Sequence, residues 1–147
     1  DSVLGKTYEN IFNECKKTKN VNYFGFLENK KIIKLLKKMH IFAYPSIWPE
    51  TSCVAAIESM AAGCETVTTN LGALYETCSP FATFINFERN FDNLEKKYGK
   101  ALSHSIKNYW SDKNQNILKL QRETINTTYS WDVRSLEWKK FFDEIRK

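Results

Sequence analysis

Cysteine and histidine are scarce in this chain of 147 residues, and their positions suggest no metal site. The four cysteines include no close pair such as C-x-x-C, and there are only two histidines. Zinc sites with the usual ligand spacing are therefore not indicated, and we expect no metal ion and no cofactor. Scattered thiols suit a reducing compartment, so we expect a cytoplasmic protein.

Long apolar runs are also missing. No stretch reaches the roughly 20 apolar residues that a membrane span requires, and the first residues show no signal-peptide pattern. Hydrophobic residues nevertheless make up 42% of the chain, which argues against disorder. We therefore predict a globular domain with a real core, without internal repeats or low-complexity linkers.

The spacing of apolar residues alternates between helix and strand along the chain. Helices are predicted at 5–17, 29–39, 52–62, 75–80 (a helix or turn), 93–128 and from Asp132, which is placed as an N-cap. Strands are predicted at 21–26, 41–44, 65–69 and 82–85. This order with short connections predicts an α/β fold in which a parallel sheet carries helices on both faces.

Two carboxylates stand out in the segment from Pro45 to Gly72. Glu50 lies in a proline-bounded loop, and Glu58 lies eight positions later in a predicted helix. Thr51 and Ser52 stand where that helix should begin, as expected for capping residues. The unpaired N–H groups and positive dipole end of a helix start can hold a phosphate. The segment therefore suits a ligand with a charged end and free hydroxyls, such as a nucleotide sugar.

The same segment resembles the donor-binding region of GT-B glycosyltransferases, particularly glycosyltransferase family four (the group 1 glycosyltransferases). That family shows the pattern PS-x-x-x-E…EAMAAG-x-P-V-V…G-G-x-x-E. The matching pieces here are Pro45 with Ser46, Glu50, residues 58–63, Thr66 with Val67, and Gly72 with Glu76. Similarity continues over residues 21–27 and 129–132, so it covers about residues 21–142. The resemblance implies a Rossmann-like C-terminal domain of a GT-B fold.

The resemblance implies a role for each matching residue. Glu58 corresponds to the glutamate that binds the ribose hydroxyls, and Glu50 to the catalytic glutamate beside the donor sugar. Whether Glu50 is a nucleophile or an electrostatic stabiliser stays open. The implied reaction is retaining transfer by a hexosyltransferase from a nucleoside diphosphate sugar, without an obligatory metal. The sequence does not choose between UDP and GDP, nor does it name the sugar or the acceptor.

Further donor contacts are implied by neighbouring matches. The backbone N–H groups of the loop and helix start would hold the diphosphate, the glycine loop would lie near the donor, and a third segment would hold the nucleobase. These residues are Thr51, Ser52, Cys53 and Val54 for the diphosphate, Gly72 and Ala73 for the loop, and Phe24, Gly25 and Phe26 for the base.

Several of these residues have alternative interpretations. Cys53 replaces a frequent family glycine and would narrow the space for the phosphate or slightly shift it. A nucleophilic role is disfavoured because neither histidine is near Cys53 in sequence. The resemblance implies that Glu76 orients the glycine loop or a donor group; the alternative is a carboxylate that is simply favoured by a helix dipole. Phe24 and Phe26 are base contacts or plain core. Glu50 and Glu58 also have the alternative of being solvent-exposed carboxylates.

The match covers most of a C-terminal domain but lacks its first strand or strands. We predict a Rossmann-like donor-binding domain over residues 1–128 and a closing helix over 129–147. An N-terminal acceptor-binding domain is absent from this chain, so we expect the chain alone to be an inactive fragment. In GT-B enzymes the closing helix packs on that other domain, which implies such a partner for Trp138 and the Phe141–Phe142 pair. Packing on this domain's own sheet is the alternative that aromatic stripes usually favour.

The net charge of +5 supports further hypotheses of other classes. Lysines crowd the first forty residues, which would suit peripheral contact with an anionic membrane or, on charge alone, nucleic acid. Because they lie on the outward side of a predicted amphipathic helix, solvation is the simpler interpretation, and we expect no nucleic-acid partner. A non-catalytic nucleotide-binding or scaffold domain would share the fold and keep Glu58 without needing Glu50.

Overall fold

In a computed structural model, the backbone is described for residues 3–146 and the side chains for residues 8–146. The chain forms two compact units, one ending at Ile32 and one beginning at Ile33. Helix α1, Val3–Lys17, belongs to the first unit, and helix α2, Asn29–Leu36, crosses the boundary. The predicted domain division at residue 128 stays a prediction.

The predicted strand at 21–26 is wrong. This segment is irregular, and no strand pairs with it in the described part of the chain. Tyr23 instead stacks on Phe12 of α1 with ring centroids 5.2 Å apart, and Gly25 makes the expected turn at a φ of 62°. β-branched and aromatic residues favour a strand only when a neighbouring strand receives their backbone hydrogen bonds.

A three-stranded parallel sheet organises the second unit, as predicted. The strands are β1 (Ile41–Tyr44), β2 (Glu65–Thr69) and β3 (Thr83–Ile85), in the order β1-β2-β3. Helix α3, Val54–Ala62, connects β1 to β2, and helix α4, Leu74–Cys78, connects β2 to β3. The alternation of short helices and strands thus produces βαβ units, because parallel neighbours need a crossover connection.

Both ends of α3 bear on the sequence predictions. Gly63 ends the helix in the left-handed conformation (φ 98°) and its N–H bonds to the Met60 carbonyl, which confirms the predicted cap. At the other end the N-cap is Cys53, with no side-chain capping bond. The prediction that Thr51 or Ser52 caps the helix is therefore wrong by one or two residues, and the first turn keeps its N–H groups unsatisfied by any capping side chain.

Three long helices complete the second unit. They are α5 (Phe91–Asn108), α6 (Asp112–Thr128) and α7 (Trp131–Ile145). Their N-caps are Asn90, Ser111 and Ser130, each of which accepts a backbone N–H three residues later. Asp132 was predicted as the last of these caps and instead lies in the first turn of α7, where its charge suits the helix dipole.

The two faces of the sheet carry separate apolar clusters. Met60, Leu74 and Ile125 pack with Phe42 and Phe84 on one face, where α3, α4 and α6 lie. Val67, Ile85, Leu94 and Tyr98 pack with Ile41 on the other face, covered by α5. Successive strand residues point to opposite faces, which is why Ile41 and Phe42 belong to different clusters. The predicted sheet with helices on both faces is confirmed.

Two buried hydroxyl groups of β2 have no hydrogen-bond partner among the described residues. Thr66 and Thr68 are fully buried, and the Oγ1 atom of each is unpaired. Replacing Thr68 by valine keeps the shape and removes a desolvated hydroxyl, so we expect the free energy of unfolding to rise by about 1 kcal/mol in urea titrations. The neighbouring Thr69→Val is the matched control: its Oγ1 donates to the Ser46 carbonyl at 2.6 Å, so that change should be destabilising. Destabilisation by Thr68→Val would contradict the prediction.

The aromatic residues of α7 do not pack on the sheet. Trp138, Phe141 and Phe142 contact one another with centroids 5.6–5.8 Å apart, and each is at least half exposed. The alternative that they are core of this domain is therefore wrong.

No helix within residues 3–146 is both long and apolar enough to cross a membrane.

Candidate functional site

Two loops meet where β1 and β2 end. The loop after β1 runs over residues 45–53, and the loop after β2 runs over 70–73. Glu50 and Gly72 form an isolated parallel bridge, and the Ala73 N–H donates to the Glu50 carbonyl at 2.7 Å. In open α/β sheets, ligands bind at the carboxyl ends of the strands, which is where these loops lie.

Glycine is required at position 72 by space and by conformation. Its φ is 61°, and a Cβ atom built there would lie 2.6 Å from both the backbone N and the backbone O of Glu50. Atoms of the main chain cannot swing aside as a flexible side chain would. Gly72 therefore allows the two loops to approach closely, and it sets the position of Glu50.

The first loop is also anchored to the end of β2. Ser46 is buried, and its carbonyl accepts the bond from Thr69 Oγ1. The Ser46 hydroxyl donates to the Trp48 carbonyl at 3.0 Å and lies 3.3 Å from the Trp48 N–H. This turn leaves the Trp48 side chain largely exposed beside the loop. The Pro45-Ser46 match thus has a structural reason, because Ser46 is small enough to be buried and to hold the turn.

The Glu50 carboxylate is held by a tyrosine. The Tyr44 hydroxyl donates to Glu50 Oε1 at 2.5 Å, and Glu50 itself is partly buried. This hydrogen bond, followed by burial, raises the pKa of Tyr44 to about 12. Tyr44 consequently stays protonated at neutral pH and keeps donating. One carboxylate oxygen is oriented in this way, and within the described residues no further side-chain hydrogen bond of Glu50 competes for the other.

The start of α3 lies directly after Glu50. Thr51, Ser52 and Val54 are exposed, whereas the Cys53 side chain is buried in the apolar cluster with Met60 and Leu74. The expectation that Cys53 narrows the phosphate space is wrong, because its thiol points into the core. Its burial also removes support for a nucleophilic role. Cys53 can offer a ligand only its backbone.

Glu58 lies one turn into α3 and is partly buried. It shares a face with the exposed Val54, four residues earlier, and its side chain leans towards the helix start. Ser59, next in sequence, is buried and bonds back to the Ala55 carbonyl at 2.7 Å. Glu58 is thus placed on the flank of the helix, off its core-facing side, while Glu50 precedes the helix start.

The remaining predicted residues divide between the two units. Ala73 is the N-cap of α4, and Glu76 lies exposed in the first turn of that helix. Phe24, Gly25 and Phe26 belong to the first unit, where Phe24 and Phe26 are exposed, Phe26 to 95%. The alternative that these two aromatics are core is wrong. Their contact with a nucleobase stays a prediction.

Sequence reasoning missed the residues that support Glu50. Tyr44, Ser46 and Thr69 received no role, although Tyr44 and Thr69 are the last residues of adjacent parallel strands. Their position at the carboxyl edge was a usable signal, because functional side chains collect there. Within the described residues, no three His, Cys, Asp or Glu side chains are grouped to hold a metal ion.

Comparison with known proteins adds independent findings. A family model described as "Glycosyl transferases group 1" matches residues 3–119. An "Uncharacterized 41.2 kDa protein in cps region" of Klebsiella pneumoniae is 25% identical over 114 residues, which cover 78% of this chain. The aligned part covers only 30% of that relative. No solved structure is similar enough to count as a match.

Proposed function

Because the chain belongs to the group 1 glycosyl transferases, we propose that it is the donor-binding part of an enzyme that transfers a sugar from a nucleoside diphosphate sugar. The observation that carries this proposal is the junction of Glu50 with the glycine loop beside the start of α3. It combines an oriented carboxylate with a helix start whose first N–H groups lack a capping side chain. These are the groups that a sugar and a diphosphate require.

The role of each group follows from its chemistry. Glu58 accepts hydrogen bonds from the two ribose hydroxyls, since a carboxylate offers two oxygens and the bonds are charge-assisted. The N–H groups at the start of α3 bind the diphosphate. Glu50 lies at the donor sugar, where its charge stabilises positive charge at the anomeric carbon during retaining transfer. The dipole of α3 takes the place of a metal ion at the diphosphate.

A second domain is part of this proposal. The exposed aromatic face of α7 suits a contact with protein outside these residues, and the Klebsiella relative is more than three times as long as its aligned part. We assign acceptor binding to that second domain, so the 147-residue chain binds the donor without transferring a hexose. Three buried free thiols support a reducing, cytoplasmic location, and the lysines of α2 leave peripheral membrane contact as an alternative.

The test is calorimetric titration of the chain with UDP, GDP, UDP-glucose and GDP-mannose. We expect the chain to bind either the uridine or the guanosine ligands. Glu50→Gln should weaken binding of the nucleotide sugar about tenfold (about 1.4 kcal/mol) and leave the affinity for the corresponding nucleoside diphosphate unchanged. The amide keeps the size of Glu50 and an oxygen for Tyr44, so the loop is retained. A non-catalytic nucleotide-binding domain would show no such difference. Absence of binding by all four ligands would contradict the donor site.

A further inference from the structure

A cavity lies at the opposite end of the sheet from the candidate donor site. Its volume is about 320 Å³, within the range of small-ligand pockets, and it opens where β1 and β2 begin. His40, which precedes β1, and Gly63, which precedes β2 by two residues, both line it. The candidate donor site lies at the carboxyl ends of the same strands. The two sites are therefore separated by the length of the sheet.

The cavity is lined by cations from two elements. Lys37 and Lys38 follow α2, while Lys119 and Arg122 come from one face of α6. The lining contains no aspartate or glutamate, and none of these four side chains forms a salt bridge with the described residues. Four unneutralised charges around one concave site create a field that favours a multiply charged anion.

Aromatic rings form one wall of the cavity. His40, Tyr109 and Trp110 contact one another edge to face, with ring centroids 4.9–5.3 Å apart. Tyr109 is buried, but Trp110 is 72% exposed. Burial raises the pKa of Tyr109, so its ring remains neutral. The wall therefore presents a large exposed indole beside the cations and contributes no negative charge.

The cavity is built on packed elements. Gln121 is fully buried and donates from Nε2 to the carbonyls of Met60 and Cys64, which joins α6 to the end of α3. Asn126 Nδ2 likewise donates to the Ala61 carbonyl at 3.0 Å. These bonds hold α6 in place and neutralise carbonyl dipoles at the end of α3 that would otherwise repel an anion. The Arg122 stem lies over Gly63, since a Cβ built there would be 3.6 Å from Arg122 Cδ.

We propose that this cavity binds an anion carrying two or more phosphate groups, separately from the donor site. Guanidinium and ammonium groups are the side chains that bind phosphate oxygens best. The anion would be a free phosphorylated molecule or the phosphorylated headgroup of a lipid, which share this chemistry. Trp110 would rest against it at the rim of the cavity.

The test uses inorganic tripolyphosphate and calorimetry on the 147-residue chain. Binding should weaken about tenfold in the double variant Lys119→Gln with Arg122→Gln, which loses two charge-assisted contacts. Lys96→Gln with Lys100→Gln is the matched control: it removes the same charge from another lysine-lined hollow on α5, one lined by no tyrosine or tryptophan, and should weaken binding less than about twofold. The proposal would be overturned if both double variants lost the same tripolyphosphate affinity, or if the chain did not bind tripolyphosphate at millimolar concentration.

Tryptophan fluorescence locates the ligand. The change on adding tripolyphosphate should disappear in Trp110→Phe and persist in Trp48→Phe, whose indole lies near the donor site. The reverse pattern would overturn the proposal. Nucleotide binding is measured separately, in the titrations with UDP and GDP, so failure of the donor assignment is distinguishable from failure here. If circular dichroism shows that the Lys119→Gln, Arg122→Gln double variant is unfolded, the double variant Lys37→Gln with Lys38→Gln is used instead.

Sedimentation with vesicles distinguishes the two sources. Recovery on vesicles that contain phosphatidylinositol bisphosphate, if it is lost in the Lys119→Gln, Arg122→Gln double variant and displaced by tripolyphosphate, identifies a lipid headgroup. Binding of tripolyphosphate without vesicle recovery identifies a free anion. Either result supports phosphate recognition in the cavity. Vesicle binding that neither the Lys119→Gln, Arg122→Gln double variant nor tripolyphosphate reduces would overturn the proposal.

Discussion

Gly72→Ala lowers the free energy of unfolding by about 2–4 kcal/mol and displaces Glu50. The new methyl group would lie 2.6 Å from two main-chain atoms of Glu50, and the residue must hold a φ of 61°. The loops can relieve the overlap only by separating, which breaks the bond from the Ala73 N–H to the Glu50 carbonyl. Urea unfolding monitored by circular dichroism measures the loss.

Two other glycines provide matched controls for this change. Gly63 also has a positive φ, of 98°, but the nearest atom to its added Cβ is a side-chain carbon at 3.6 Å. Gly63→Ala should therefore lower the free energy of unfolding by about 1 kcal/mol, because it introduces backbone strain without a steric overlap. Gly99 lies within α5 with nothing within 4 Å, so Gly99→Ala should stabilise the chain by about 0.5–1 kcal/mol. A loss at Gly72 no larger than that at Gly63 would show that the contact with Glu50 is unimportant.

Glu58→Ala weakens nucleotide binding about tenfold to a hundredfold. A carboxylate that accepts two ribose hydroxyls contributes charge-assisted bonds, each worth about 1.5–3 kcal/mol before solvent exposure reduces it. Calorimetry with the bound nucleotide measures the change. Because Glu58 is only partly buried, we expect the lower half of that range.

A double-mutant cycle with the ligand assigns that loss to the ribose. The 2′-deoxynucleotide should bind the parent chain more weakly than the ribonucleotide, and this difference should vanish in Glu58→Ala. Glu95→Ala, an exposed carboxylate on α5, controls for net charge and should have no effect. A ribose preference that survives in Glu58→Ala would show that another group reads the hydroxyl.

Local patterns predicted most of the second unit. The residues of β1 form a short apolar run, those of β2 are mostly β-branched, and α3 ends at a glycine, so these strands and the end of the helix could be predicted from the sequence. The predicted N-caps were wrong where several neighbouring residues could equally well cap the helix. Thr51, Ser52 and Asp132 are all good caps, and the choice among neighbouring residues depends on where the entering chain is already fixed. For α3 that position is fixed by the Glu50–Gly72 bridge, three residues before the Cys53 cap.

The failed strand at 21–26 has a different cause. Its composition satisfies strand propensity, but sheet formation depends on hydrogen bonds to a partner that can be anywhere in the chain. Similarly, the aromatic spacing of α7 favoured a core, and only the fold shows that no element covers Trp138. Secondary-structure propensity depends on neighbouring residues in the sequence, whereas burial of a side chain depends on which distant elements pack against it.

The amino-acid sequence by itself determined the parallel sheet, the helix after Glu50, the pair of carboxylates and the family, because each depends on spacing along the chain. Tertiary structure alone decided that Tyr44 orients Glu50, that the Cys53 thiol is buried, and that Gly72 lies against Glu50. It also joined Lys37 to Arg122, 85 positions apart in sequence, around one cavity. These contacts arise from packing between distant segments, which residue spacing does not encode.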